Sequence, residues 1–284
     1  MHMANSRSFA TGGAPAATAA THRWIVATAK FGYLAKAMVY GVIGIMALLA
    51  AAHSGGRATG SRGAFLAILS QPFGRALLGI LAAGLAAYAM WRFAQAFLDA
   101  DHSGADAKAL VVRLGKAGTG LIYAGLSYSA LRIFLGLRTS PSDDQQAKSW
   151  TALLLSEPYG PWLVAAAGGA VIALALHELY VVYRGSFADK LKLEEMTVTM
   201  RTFVLRCGQI GHTARAVVFA IIGLFLISAA IHSDAREARG LGGALLALER
   251  QPYGDWLLAA VALGFLAYAA YLLLLVFYRR ILKP

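Results

Sequence analysis

Long apolar runs alternate with short polar links along the chain. Residues 38–52, 76–90, 163–176, 217–231 and 256–277 contain no Asp, Glu, Lys or Arg. With their flanks, each run is long enough to cross about 30 Å of hydrocarbon. The runs are rich in Ala, Leu, Gly and Ile and lack the two-residue alternation of a barrel strand, so they predict helices, the state that satisfies backbone groups in lipid internally.

The runs are punctuated by two recurring signatures. Gln71-Pro72-Phe73-Gly74, Glu157-Pro158-Tyr159-Gly160 and Gln251-Pro252-Tyr253-Gly254 each open an apolar run, and GYLAKAMVY from Gly32, GKAGTGLIY from Gly115 and GHTARAVVF from Gly211 precede them. The distance from the first glycine to the later proline is 40, 43 and 41 residues, so the repeating unit is a pair of hydrophobic helices joined by a polar link. The predicted fold is all-α: a polytopic membrane protein whose six transmembrane helices form three tandem two-helix repeats in a pseudo-threefold arrangement. The expected divisions are a disordered cytoplasmic tail at 1–22 and repeats at 23–101, 102–190 and 191–284.

Within each repeat the first helix carries small residues at matching places, Gly41, Ala124 and Ala220 and then Gly44 and Gly223. The second helix does so at Gly84, Ala170 and Gly264. Spacings of three and four keep such residues on one helical face, where they let backbones approach closely. These faces are expected to be packing surfaces. The prolines are expected in the first turn of the second helices, where a missing N–H leaves no intrahelical partner wanting. Short apolar stretches just before them, 64–69, 150–155 and 244–248, are expected to lie along the outer interface. Gln71, Glu157 and Gln251 are then placed to cap the amides of the following helix; the alternative is a ligand-binding ring at the outer mouth.

This pattern, G-[YH]-x-A-[KR]-[AG]-x-[VI]-[YF] followed by [QE]-P-[FY]-G in three copies, resembles a bacterial domain-of-unknown-function family, number 1206. Gly32 to Ala37 and Gly211 to Ala216 match closely, whereas the middle copy has Gly118 and Thr119 in place of the Ala and basic residue. The resemblance spans roughly residues 24 to 280. It implies a bacterial cytoplasmic-membrane protein and carries over no activity.

Composition agrees with the pattern: 58% of the residues are hydrophobic and 14% charged, too apolar for a soluble domain of 284 residues. The formal charge of +12 is distributed unevenly, with 17 of the 26 Lys and Arg residues on the side of the termini in a six-span topology. That asymmetry predicts cytoplasmic termini and attraction to anionic headgroups. The basic residues are scattered along segment ends rather than clustered with aromatics, which excludes a nucleic-acid surface. The tail lacks an apolar run of its own and does not read as a signal peptide.

Candidate chemistry is sparse. Cys207 is the single cysteine, so no intramolecular disulfide or cysteine metal cluster is expected, and no cofactor is. Arg92, His177 and Glu178 form a candidate polar cluster at the inner edge of the membrane, with an Arg92–Glu178 ion pair between repeats as an expectation. Lys36 and Arg215 lie about one turn inside that edge and are expected to snorkel to water. The interior is expected to be dry, with Ser127, Tyr128 and Ser129 bonded to their own or a neighbouring helix. His53 and His232 end equivalent helices without partners for a metal site. No phosphate-binding or nucleophile motif is found, and an enzyme is not expected. The sequence leaves a non-catalytic scaffold or accessory subunit, binding a membrane partner or itself, beside a channel or carrier through the centre of the repeats; a headgroup-facing enzyme site at Arg92, His177 and Glu178 is a third reading.

Overall fold

The computed structural model describes residues 14–97, 107–137 and 141–278. Of the Lys and Arg residues counted above, Arg7, Arg138, Arg279, Arg280 and Lys283 lie outside the described residues, as do the side chains of Arg23, Lys108 and Lys190.

Each repeat consists of a long helix, a short helix and a second long helix. The first holds α1 (Ala14–Ala51), α2 (Ser61–Leu69) and α3 (Gly74–Phe97); the second, α4 (Ala107–Phe134), α5 (Asp143–Leu155) and α6 (Gly160–Arg184); the third, α7 (Val198–Ile231), α8 (Leu241–Glu249) and α9 (Gly254–Tyr278). Helix α1 starts at Ala14, inside the segment expected as tail, where alanine-rich sequence has high helix propensity. Five of the long helices are long and apolar enough to cross a membrane. The other, α4, has 28 residues but carries Lys116, Thr119, Ser127, Ser129 and Arg132 along its length.

The ends of the first helices are closed alike. His53, Gly136 and Ser233 adopt positive φ, and the following amides of Ser54, Leu137 and Asp234 donate back to Leu49, Arg132 and Ala229. This is the Schellman arrangement that satisfies terminal carbonyls. The proline signature forms a turn in each repeat: the amides of Gly74, Gly160 and Gly254 donate to the carbonyls of Gln71, Glu157 and Gln251, each at 2.8 Å. The signature prolines therefore sit in turns, two residues before α3, α6 and α9 begin, and not inside the first helical turn. The turn aromatics Phe73, Tyr159 and Tyr253 are 87%, 74% and 83% exposed. Aromatics projecting at one level suit a membrane interface.

The long helices form a broken ring. Helix α1 packs on α9 and α3, α3 on α4, α6 on α7, and α7 on α9. Small residues mark the tight places. A Cβ on Gly84 would fall 2.6 Å from that of Ala35, one on Gly264 2.2 Å from that of Ala214, and one on Gly44 3.0 Å from the carbonyl oxygen of Ala262. Gly223 sits against Gly168, while Gly41 faces Ala269 and Ala124 and Ala220 are half-buried. Ala170 is exposed, because α4 and α6, the two long helices of the middle repeat, do not pack face to face among the described residues.

The three short helices meet by their N-termini. Neither α2 nor α8 has a side-chain cap of its own, since Gly60 and Gly240 precede them. The caps come from the start of α5. Asp143 accepts a bond from the Ser61 amide at 2.6 Å, and Asp144 accepts from the amides of Gly240 and Gly243 at 2.7 and 2.9 Å. A Cβ on Gly60 would lie 1.9 Å from the Asp143 carboxylate, so glycine permits the approach. Helix α5 is itself closed by a capping box between Ser142 and Gln145.

Candidate functional site: a buried cation cluster among tyrosines

The conserved spacing within the three repeats puts four-residue pairs on the inward face of every long helix. On the first helices these are Lys36 and Tyr40, Thr119 and Tyr123, and Arg215 and Phe219; on the second, Tyr88 and Arg92, Leu174 and Glu178, and Tyr268 and Leu272. Lys36 is only 5% exposed. Its ammonium lies 5.3 to 5.9 Å from the ring centres of Tyr40, Tyr88, Tyr123 and Tyr268. Desolvating a cation costs several kcal/mol, and each cation–π contact in such a setting offsets up to about 2 kcal/mol. The tyrosines hold the lysine in the core.

Arg215 is gripped similarly. Its guanidinium lies 4.7 Å from the Tyr268 ring centre, donates to the Tyr268 hydroxyl at 2.8 Å and pairs with Glu178 Oε1 at 2.9 Å. His212 Nδ1 hydrogen-bonds the other oxygen of Glu178. Arg92 donates to the Tyr88 hydroxyl from Nε and Nη2, at 2.9 and 2.6 Å, and to Gln95 Oε1 at 3.2 Å. Edge-to-face rings knit the group together: Tyr33 with Tyr88, Tyr88 with Tyr123, Tyr40 with Tyr268, and His212 with Tyr268 and Tyr271. All six long helices contribute, so the cluster occupies the centre of the bundle. Glu178 is six residues before the end of α6, which puts it about 9 Å inside.

This changes the expected picture of the interior. Lys36 and Arg215 point to the centre and not to the membrane edge, because tyrosines from neighbouring repeats replace water around them. Arg92 and Glu178 are also turned inward, yet Glu178 takes Arg215 and His212 as its partners and Arg92 bonds Tyr88 and Gln95. His177, one residue earlier on α6 and so about 100° round the helix, is exposed. Ser127 donates to the Ala82 carbonyl of α3 at 2.8 Å, and Tyr128 is exposed.

The outer candidates are placed differently. Gln71, Glu157 and Gln251 are exposed at the C-terminal ends of α2, α5 and α8, each a helix length from the junction where the N-termini meet. The side-chain amides of Gln71 and Gln251 are directed back at the carbonyls of Ala67 and Ala247, at 3.5 and 3.4 Å, closing the short helix and not the following one. His53 contacts Asp255 at 3.1 Å, and His232 contacts Glu237. A cavity of about 540 Å³ between α2, α3 and α4 is lined by Arg62, Leu66, Arg75, Ile133 and Phe134. It lies away from the charged centre, and Arg75 is already bonded to the Phe134 carbonyl there.

The signature matched in the sequence thus builds the cluster. The family described as Domain of Unknown Function (DUF1206) matches the chain three times, at residues 31–99, 114–185 and 210–279. The chain is also similar to the uncharacterized protein YxxB of Bacillus subtilis (strain 168), with 32% identity over 251 residues, 88% of this chain and 90% of that protein. No solved structure matches it. With three consecutive matches that cover most of its length, the chain belongs to the DUF1206 family, as an all-helical polytopic membrane protein of three tandem repeats.

Proposed function

We propose that this protein is a non-catalytic accessory or scaffold subunit of the bacterial inner membrane, closed to solute passage, with six spans and both termini in the cytoplasm. The observation that carries this reading is the junction at the outer end, where Asp143 and Asp144 join the N-termini of α2, α5 and α8. An outer mouth would need these helices apart. The centre below is filled by tyrosine rings and the charged side chains packed among them, which supports a rigid core over a conducting pathway.

The length of α4 and its packing along α3 support a sixth span, and an even number of spans puts both termini on one side. The excess of Lys and Arg on that side supports the cytoplasm. At the cluster, cations are held by rings and hydroxyls; this supports a structural or binding role over a reacting centre.

Reconstitution into proteoliposomes tests the reading. Leak of protons, potassium, chloride and small neutral solutes is expected to equal that of empty vesicles. Saturable flux abolished by Lys36→Met would establish the channel or carrier in its place.

A further inference from the structure

The helix seam inside a repeat is made twice within the chain and left unmade once. In the first repeat a Cβ on Gly32 would lie 2.6 Å from that of Tyr88, and one on Gly84 2.6 Å from that of Ala35. The third repeat reproduces both contacts, with Gly211 against Tyr268 and Gly264 against Ala214. The same positions in the middle repeat are Gly115 and Gly118 on α4, and Ala170 and Leu174 on α6. A Cβ on Gly115 or Gly118 would meet nothing within 4 Å, and Ala170 is exposed.

Larger residues on these faces show the same contrast. Ile122, one turn beyond Gly118, is 61% exposed, whereas its equivalents Val39 and Val218 are buried. Leu174 is 44% exposed where Tyr88 and Tyr268 are buried, and His177 is exposed where Trp91 and Tyr271 are buried. Exposed leucine and isoleucine are ordinary in lipid. These faces differ in carrying the residues of a helix seam, small at the closest approach, while α4 and α6 do not pack on each other among the described residues.

We infer that the face left open is covered by a second copy of this chain. Helices α4 and α6 are the two ends of the broken ring, and they run in opposite directions across the membrane. A two-fold axis along the membrane normal, placed at the break, sets α4 of one copy against α6 of the other and α6 against α4. It keeps every helix at its depth and direction, so both seams form in the register of the outer repeats. A single foreign helix lying in the break would be antiparallel to one wall and parallel to the other, and could reproduce the seam on one side only. The dimer gives the scaffold reading above, on which it rests for its role, a partner: the protein joins to itself through its middle repeat.

Cysteine cross-linking of the full chain in native membranes tests this, with Cys207→Ala as the background and copies carrying two different tags. Gly118→Cys in one copy and Ala170→Cys in the other are expected to oxidise to a disulfide dimer that carries both tags. Gly118→Cys in both copies is expected to give none, because the two-fold axis sets the two α4 helices diagonally and a disulfide needs Cα atoms within about 7 Å. Ile80→Cys with Leu263→Cys, on exposed positions of the outer repeats, is expected to give none either. Because a cysteine can disturb the seam it reports, Gly118→Leu provides a second arm. It is expected to weaken dimerisation in bilayers, read by subunit counting of fluorescent copies, about tenfold. Its unfolding temperature in dilute detergent, where the copies separate, is expected to stay that of the parent. Absence of the mixed dimer, equal cross-linking of the control pair, a disulfide of Gly118→Cys to itself or to a different protein, or undiminished dimerisation in Gly118→Leu would overturn the inference. So would a chain carrying both Gly118→Cys and Ala170→Cys that closes on itself, since the middle repeat would then make its own seam. The two readings fail separately: a monomer that seals vesicles loses the dimer alone, and a dimer that conducts solutes loses the scaffold alone.

Discussion

Glu178 governs the charges around it. Its carboxylate pairs with Arg215 and His212 deep among rings, so Glu178→Gln leaves a buried guanidinium without its counter-charge. Losing one partner of a buried pair costs about 3–5 kcal/mol, and the variant is expected to show that loss in denaturant or thermal unfolding. In a double-mutant cycle, Glu178 and Arg215 are expected to couple by more than about 1 kcal/mol, whereas Glu178 and Arg92 couple near zero. A strong coupling with Arg92 would contradict the pairing described. The sequence made Lys36, Arg92, Glu178 and Arg215 visible as charges in apolar helices, and their repeat positions legible. Their direction was not, since a four-residue spacing tells which residues share a face without telling whether that face meets lipid or the centre. Four tyrosines around Lys36 decide it, and they come from helices as far apart in sequence as α1 and α9.

At the scale of the element, the short helices depend on caps supplied from elsewhere. Asp144→Ala removes an acceptor from two amides of α8, and is expected to cost about 1–2 kcal/mol and to raise hydrogen exchange at Gly240 and Gly243. Asp143 behaves differently with pH. Burial pushes its carboxyl above the ordinary 3.8, against the opposing effect of the Ser61 amide. A raised folded-state value means that its contribution to stability is fully present below 3.8 and is lost as pH rises through the raised value. Asp143→Asn keeps an acceptor for Ser61 without the buried charge, so it is expected to be tolerated at neutral pH and to flatten the acid end of the stability profile. Unfolding temperatures measured across a pH series check both points. The turns and the short helices were legible from the repeated proline signature and the apolar stretches before it. The junction was not, because Asp143 and Asp144 act on residues 82 to 99 positions away, although the Ser142-to-Gln145 capping box at the head of α5 was there to be read.

For the whole molecule, the tight and open seams predict opposite responses to the same change. Gly211→Val drives a side chain into Tyr268 and is expected to cost about 1–3 kcal/mol, whereas Gly115→Val meets open space and is expected to be near neutral in thermal unfolding. Three repeats and an all-helical membrane fold followed from periodicity alone. The departure of the middle copy at Gly118 and Thr119 was equally visible, but its result was not: repetition implies three closed pairs, and only placement of all six long helices shows that one pair has parted. Going round the ring, the junction opposite the parted pair is α1 against α9, the first long helix against the last. The covalent ends of the bundle are thus held by close packing, while its loosest seam falls inside one continuous repeat. Transient widening should start between α4 and α6 and turn on the α1–α9 contact as its hinge, so that a covalent staple across α1 and α9 leaves such breathing intact and one across α4 and α6 abolishes it.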